Sequence, residues 1–494
     1  MKSVIYITGW MLVLQACLMG LPAVTALVYG ETSGFAFLIT MVLCGALGFA
    51  LTWSRPRRIS FSARDGLVTT AIGWMVMSVT GALPFLFSGE ISGVTDAIFE
   101  TVSGFTTTGT SIVPNPEVLS HCVNMWRCFT HWIGGMGVLV FLLAVLPMVS
   151  GGSNMQLMKA ESPGPSVGKL VPKVRFTAQM LYFLYVGMTL LEVVLLLLGG
   201  TGLFDALCIS FATAGTGGFG TRQDSLASFS PYVQWVVTAF MIFFGVNFNV
   251  YYLLFLRKIR EALHCEEMRW YLGIIGVATL LIFGNTFSRL LSVEHNLRNA
   301  AFQVASIITT TGFSTTAFDA WPSLSRLLLV LLMFIGACAG STGGGTKVVR
   351  VVCMTKQFGV YMGSFLHPRA VRKIKFEGKV LESDTLRAIQ VYYVGVVGIV
   401  TLSVLLISLE NRDLVTTFTA VAATFNNIGP GLAEASGSFE SFTLLSKWVM
   451  IFDMLAGRLE IFPMLLMFHP RLWKEGFSEI RVLAKRKRLI NGRT

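Results

Sequence analysis

The sequence predicts an all-α polytopic membrane protein: four pseudo-symmetric helix–pore loop–helix repeats around a central pore, preceded by an N-terminal helical pair, about ten transmembrane helices in all. Three observations predict it. The chain of 494 residues is 54% hydrophobic and only 13% charged, with a mean hydropathy of +0.68, well outside the usage of soluble domains. Apolar runs of about 20 residues recur along it, each long enough to cross roughly 30 Å of hydrocarbon as a helix. A glycine-centred turn stands between such runs four times: Thr106-Thr107-Thr108-Gly109, Ala214-Gly215-Thr216-Gly217-Gly218-Phe219, Thr309-Thr310-Thr311-Gly312-Phe313-Ser314 and Asn426-Asn427-Ile428-Gly429-Pro430. A β-barrel would show short alternating segments instead.

In chain order, residues 1–60 hold the leading pair, about Val4 to Tyr29 and Gly34 to Trp53, closed by Arg55-Pro56-Arg57-Arg58. A secretory signal is the competing reading of the first run, since Lys2, the apolar stretch and Val24-Thr25-Ala26 fit one loosely. The length of the run favours an uncleaved helix. Four pore repeats follow over residues 61–150, 151–260, 261–356 and 357–470, and a basic cytoplasmic tail covers 471–494. Outward helices are expected at about Leu67–Phe87, Phe176–Leu198, Trp270–Phe287 and Ile389–Leu409. Inward helices are expected at about Trp126–Met148, Tyr232–Leu256, Leu324–Val352 and Leu444–Phe468. Between Asp96 and Thr106 lie about ten residues, some 15 Å as a helix: too short to span, long enough to reach the midplane. This is a pore helix. The longest cytoplasmic segments, Gly151–Arg175 and Gln357–Arg387, read as basic loops.

The repeat is internally consistent. Gly109, Gly218, Gly312 and Gly429 are separated by 109, 94 and 117 residues (218 − 109, 312 − 218, 429 − 312), so the modules are of domain size. Aligned on these glycines without gaps, Asp96, Asp205, Asn299 and Thr416 stand thirteen residues upstream, all N-cap types. Small residues, Ser103, Ala212, Ser306 and Ala423, stand six upstream; Ser111, Gly220, Ser314 and Gly431 stand two downstream. The register also selects Gly218 over Gly217 as the second glycine.

The net charge of +12 suggests nucleic acid only until its distribution is examined: Lys and Arg cluster between alternate apolar runs. The positive-inside rule then places both termini in the cytoplasm. The eight cysteines lie mostly within apolar runs and form no CxxC or metal pattern; Cys122 and Cys128 are the pair whose placement near one membrane face allows a disulfide. Six scattered histidines form no HExxH motif or triad, which ranks a membrane enzyme last.

A cation entering a pore must replace its hydration shell, and backbone carbonyls from several sides can do so. Glycine permits the positive-φ turns that aim carbonyls into a narrow path, and helix C-termini directed at the site favour a cation. An anion pore would present helix N-termini or basic rings instead. One Thr-Thr-Thr-Gly would read as a helix end with a glycine cap; four in register read as a filter that binds a cation through backbone carbonyls. Its residues are Thr107, Thr108 and Gly109; Thr216, Gly217 and Gly218; Thr310, Thr311 and Gly312; Asn427, Ile428 and Gly429. Asn426 and Asn427 are either ligands or, the reading favoured here, structural hydrogen-bonders of neighbouring strands.

Two further features point to a gate. Gly336–Lys347 interrupts the third inward helix, and the four glycines within Gly340-Ser341-Thr342-Gly343-Gly344-Gly345 cannot hold a straight helix. A phosphate-binding loop is the alternative, but the Gly-Lys-Ser/Thr ending is absent. A buried loop must line a cavity, so below the filter it is a candidate gate, with Lys347 at its end. Arg458 is the one basic residue well inside an apolar run, and an intramembrane charge needs a partner. The partner is either the glycine-loop carbonyls, which makes Arg458 part of the gate, or Asp453 or another helix, which makes it a packing residue.

Taken together, the four filters, the Gly340–Gly345 stretch with Lys347, Gly457-Arg458-Leu459-Glu460 and the loop Ser162-Pro163-Gly164-Pro165 resemble the Trk-type (TrkH/TrkG) potassium uptake subunits of the Trk/Ktr/HKT cation transporter superfamily, over almost the whole chain. The resemblance implies K⁺ uptake across a bacterial cell inner membrane and a homodimer. It implies a cytoplasmic TrkA-type regulatory subunit through which nucleotide (ATP/ADP or NAD) acts, an intramembrane loop at Gly336–Lys347 and a gating arginine at Arg458. It further implies that glycine at all four filter positions goes with K⁺ permeation, whereas serine at the first goes with Na⁺ preference. The second filter departs from the Thr-Thr-Gly form, which leaves its ligands open. A symporter coupling K⁺ to H⁺ or Na⁺ through a buried carboxylate (Glu100, Glu192, Asp453 or Glu460) is the alternative, as is a less selective K⁺/Na⁺ pathway.

Overall fold

The computed structural model describes residues 2–53, 63–137, 174–288, 292–369 and 373–470. The basic cluster Arg55–Arg58, the far end of the first inward helix, Ser162-Pro163-Gly164-Pro165 with most of its loop, and the tail beyond Pro470 lie outside the described residues.

The leading segment forms helices Lys2–Leu18, Gly20–Tyr29 and Gly34–Thr52. Its two legs approach closely because a Cβ at Gly48 would stand 2.7 Å from the Gly9 carbonyl oxygen, the small-on-small contact that membrane helices use. Gln15 then ties the pair to the first repeat, donating to the Met77 carbonyl at 3.0 Å and accepting from Thr80 at 2.8 Å. Between the two legs, Glu31 accepts the N–H groups of His121 (2.7 Å) and Cys122 (2.9 Å). It thereby caps the next repeat's inward helix with negative charge.

The outward helices are Ala63–Gly81 continued by Leu83–Ser88, Val174–Leu198, Glu266–Thr286 and Ser383–Ser408. Pore helices Val94–Phe105, Leu203–Gly215, Val293–Ile308 and Leu414–Phe425 follow them. The inward helices depart from expectation. Only the third was expected to break, but the second and fourth do as well: the breaks fall between Phe244 and Phe248, between Met333 and Val348, and between Arg458 and Phe462, while the first inward helix is described as far as Gly135 and its continuation lies outside the described residues. In the second repeat the two halves, Pro231–Phe244 and Phe248–Phe255, meet at 91°, and Asn247 restarts the helix by accepting from the Asn249 N–H at 3.0 Å. In the fourth, Glu460 and Ile461 take positive φ of 54° and 58°, which no helix continues through. Six described helices are therefore long and apolar enough to cross a membrane unbroken, and seven with the bent pair. The expected ten counts each broken helix as one crossing.

The thirteen-upstream residues are not N-caps. Gly93, Gly202, Ser292 and Asp413 hold that position, and Ser292 and Asp413 supply the side-chain oxygens that cap. Two of the predicted caps instead latch the chain after the filter: Asp205 accepts from Thr221 at 2.7 Å and Asn299 from Thr315 at 3.1 Å. Asp96 pairs with Lys447 at 2.6 Å. The Cys122–Cys128 disulfide is absent: all eight cysteines are free.

Buried side chains of the leading pair, the first repeat and the fourth repeat form one continuous core through Met11, Trp74, Phe99, Trp126 and Phe425; the third repeat packs a second core that reaches Ile428 of the fourth filter. The expected loop after the third repeat contains a hairpin, Lys375–Phe376 against Lys379–Val380. Its turn residues Glu377 and Gly378 both have positive φ, 50° and 73°, as a two-residue turn matching strand twist requires. Glu377 accepts the Glu266 N–H at 2.9 Å, capping the third outward helix.

Candidate ion pathway and gate

Each pore helix ends in the same closure. Two residues before the filter glycine the backbone turns left-handed, at Thr107 (φ 56°), Thr216 (55°), Thr310 (59°) and Asn427 (54°). The following N–H reaches back to the small residue six before the glycine: Thr108 to Ser103 (2.9 Å), Gly217 to Ala212 (2.8 Å), Thr311 to Ser306 (2.9 Å) and Ile428 to Ala423 (2.9 Å). This six-to-one bond is the Schellman end of a helix. The left-handed residue is usually glycine. A β-branched threonine there costs on the order of 1–2 kcal/mol and persists only where surrounding structure imposes it.

The four strands then close a ring. Gly109, Gly218, Gly312 and Gly429 all have positive φ, at 82°, 79°, 86° and 106°. A Cβ at Gly109 would fall on the carbonyl oxygen of Gly217, one at Gly218 on that of Thr311, and one at Gly312 on that of Ile428. A Cβ at Gly429 would stand 2.9 Å from the oxygen of Thr108, which returns the circuit to the first repeat. The glycine register of the sequence, Gly218 included, is the register of this ring.

Side chains brace each quarter differently. Thr106 and Thr108 share a hydroxyl hydrogen bond of 2.8 Å, as do Thr309 and Thr311. Asn427 donates to the Thr108 hydroxyl and to the Met454 carbonyl, both at 2.9 Å, while Asn426 donates to Ala422 at 2.9 Å. Both amide nitrogens are thus engaged with protein, while the two Oδ1 atoms are buried with no hydrogen-bond partner among the described residues. In the second quarter a Cβ at Gly217 would lie 2.5 Å from Cδ2 of His131 and closer still to its Cγ and Nδ1.

Beneath the ring, the glycine loop is fastened on several sides. Gly344 N–H donates to the Thr310 hydroxyl at 2.6 Å, tying loop to filter. Cys338 N–H donates to Gly245 O at 3.1 Å and Phe248 N–H to Gly340 O at 3.0 Å, seating the loop in the second inward break. Ala339 N–H donates to Glu267 at 2.6 Å. Lys347, at φ 74°, turns its ammonium back onto the Gly343 carbonyl. Arg458 donates to Thr342 O at 2.9 Å, to Gly135 O at 3.0 Å and to Gly134 O. One guanidinium thus joins the glycine loop to the first inward helix. A cavity of about 120 Å³ lies here, lined among others by Gly135, Phe248, Ser341, Gly344, Lys347 and Arg458.

A family model described as "Cation transport protein", TrkH, matches residues 33–475. The chain belongs to the TrkH family of cation transport proteins. It is 35% identical over 484 residues to the Trk system potassium uptake protein TrkH of Escherichia coli K12, covering 96% of this chain and 99% of that one. The Trk system potassium uptake protein TrkG of the same organism is 30% identical over 479 residues, covering 96% and 99%. A crystal structure of the potassium transporter TrkH from Vibrio parahaemolyticus superimposes with a TM-score of 0.86 at 32% identity, covering 96% of this chain and 99% of that one. TrkH-family membership makes the chain a membrane transporter rather than an enzyme.

The TrkH-type fold brings together the residues that the sequence assigns to a candidate filter and a candidate gate. It also recruits residues the sequence reading did not place there: His131, Asn247, Glu267, Gly134 and Gly135. Glu100, one of the candidate coupling carboxylates, is ion-paired with Arg127 at 2.7 Å with both side chains buried. Glu460 pairs with Arg350, whose guanidinium lies 4.1 Å from the Tyr392 ring centroid. Asp453 accepts from Ser403 at 2.7 Å.

Proposed function

We propose that the chain takes K⁺ across a bacterial inner membrane through the four-strand ring, under the control of the glycine loop and Arg458. The observation that carries this reading is the ring itself: four carbonyl oxygens, from Thr108, Gly217, Thr311 and Ile428, each against the preceding strand's glycine. Neutral oxygens supplied by backbone and aimed by positive-φ turns suit a dehydrated monovalent cation. The C-terminal ends of the pore helices add negative potential at the same place. The names of the relatives, potassium uptake proteins, support K⁺ as the ion.

In this reading Thr107 to Gly109, Thr216 to Gly218, Thr310 to Gly312 and Asn427 to Gly429 are the K⁺ site, within pore repeats at residues 61–150, 151–260, 261–356 and 357–470. The loop Gly340–Gly345 with Lys347 closes the path below, and Arg458 holds it shut while placing positive charge in it. Both termini are cytoplasmic, the protein works as a homodimer, and a TrkA-type partner carries the nucleotide response. Glu100 and Glu460 are neutralised by arginines, which leaves few carboxylates to couple K⁺ to a second ion.

The test is the K⁺/Na⁺ permeability ratio of the reconstituted protein before and after Gly109→Ser. Wild type is expected to favour K⁺, and the serine Cβ, which must displace the Gly217 oxygen, to lower the ratio by on the order of tenfold. A wild type that favours Na⁺ refutes the selectivity assignment.

A further inference from the structure

The second filter strand is the irregular one, and the structure supplies a reason. Where the other strands carry Thr108, Thr311 and Ile428 just before the glycine, this one carries Gly217. The space a side chain would need is held by the imidazole of His131. That residue is fully buried and belongs to the first repeat, not the second.

We infer that His131 is a positioning residue for K⁺ selectivity: its ring stands in for the missing side chain at position 217 and fixes where the Gly217 carbonyl sits. The inference rests on the filter reading. His131 stacks on Phe219, directly after the filter glycine, with centroids 4.2 Å apart and planes 26° apart. Its Nδ1 accepts the Phe219 N–H at 3.4 Å, which requires the proton on Nε2. Nε2 has no hydrogen-bond partner among the described residues, so at that end the ring contributes volume.

Neighbours on the same helix stabilise this arrangement. Arg127 and Cys128 stand four and three residues before His131, on one side of the helix. The Arg127 guanidinium lies 4.4 Å from the Phe219 centroid and is itself held by Glu100 at 2.7 Å, while Cys128 donates to the Phe219 carbonyl at 3.5 Å. The two backbones touch as well, since a Cβ at Gly215 would fall on the His131 carbonyl. The run of small residues from Ala214 to Gly218 therefore records the close seating of the first inward helix against the second filter. The Gly217 oxygen lies in turn against Gly109. A first-repeat residue thus sets one side of a second-repeat ligand and a first-repeat glycine borders the other.

The experiment is a double-variant cycle on the reconstituted full chain, reading the K⁺/Na⁺ permeability ratio and K⁺ flux, with Gly109→Ser as the filter control. His131→Ala removes the ring and is expected to lower the ratio by about tenfold while K⁺ still passes, because the void lets the carbonyl move. Gly217→Thr alone, with the imidazole in place, is expected to abolish flux. His131→Ala with Gly217→Thr is expected to recover the ratio to within about threefold of wild type, since the threonine refills the space as it does in the first and third strands. An unchanged ratio in His131→Ala, or a double variant no better than His131→Ala, overturns the inference. If His131→Ala does not fold, His131→Asn, which keeps an acceptor for the Phe219 N–H but less volume, is read instead, and an unchanged ratio there overturns it equally. If Gly109→Ser also leaves the ratio unchanged, the filter reading has failed; if it lowers the ratio and His131→Ala does not, only the role of His131 has failed.

Discussion

Arg458 joins two chain segments through one side chain. Its hydrogen bonds go to backbone carbonyls of Thr342 in the glycine loop and of Gly134 and Gly135 in the first inward helix. Bonds from a charged donor contribute about 1.5–3 kcal/mol each. Losing those to the loop should therefore shift a closed-to-open equilibrium by on the order of tenfold or more. Arg458→Ala is expected to raise K⁺ flux in liposomes by that order; unchanged flux in a folded protein removes Arg458 from the gate. Its placement was legible because a lone charge in an apolar run demands a partner, and the filter glycines were legible because positive φ and missing Cβ leave a mark in composition. His131 was not. Its role is a steric match to a glycine on another repeat, and nothing near it in the chain announces the match. The left-handed threonines were equally hidden, since local preference predicts glycine there and tertiary contacts overrule it.

The outward helices are readable from hydropathy alone because each is a long, continuous apolar helix. The breaks in the second and fourth inward helices are not, because they are made by local capping and by contact with another element: Asn247 recapping its own helix beside the glycine loop, and Glu460 turning to meet Arg350. Caps at the starts of inward helices follow a pattern visible only in three dimensions. Glu90 accepts from the Ser120 N–H at 2.8 Å and Glu410 from the Thr443 N–H at 3.0 Å, the corresponding helix starts of the first and fourth repeats. Glu31 does the same for His121 and Cys122. Partial burial pushes the Glu31 carboxyl up, but the hydrogen bonds from Cys122 and His121 outweigh it and hold its pKa below the ordinary 4.5. A depressed folded-state value gives stability that is complete above the unfolded value and is lost as pH falls through the folded one. Glu31→Gln is therefore expected to unfold more easily than wild type at pH 7, by about 0.5–1 kcal/mol after solvent screening, with the gap closing below about pH 4. Thermal unfolding in detergent across that range measures it; a gap independent of pH would show that the charge of Glu31 is not what stabilises the helix start.

At the scale of the whole molecule, the fourfold plan was legible because the same turn recurs between helices of the same kind. The recurrence alone implied a ring, and Gly109, Gly218, Gly312 and Gly429 each meet the next strand in order. With Glu100 and Glu460 ion-paired with Arg127 and Arg350, only Glu192 and Asp453 of the four candidate carboxylates have no ion pair among the described residues, both buried, and the molecule is expected to conduct without obligatory coupling. In liposomes the reversal potential should track the K⁺ gradient alone as Na⁺ and H⁺ gradients are varied; a reversal potential that moves with either would establish coupled transport. One property follows from the ring being a single chain. A pore assembled from four identical subunits must accept every substitution four times at once, so a change that improves one quarter and harms another is never sampled alone. Here each quarter mutates by itself. An imidazole can wedge one side while an asparagine braces another, and selectivity can be adjusted in single asymmetric steps.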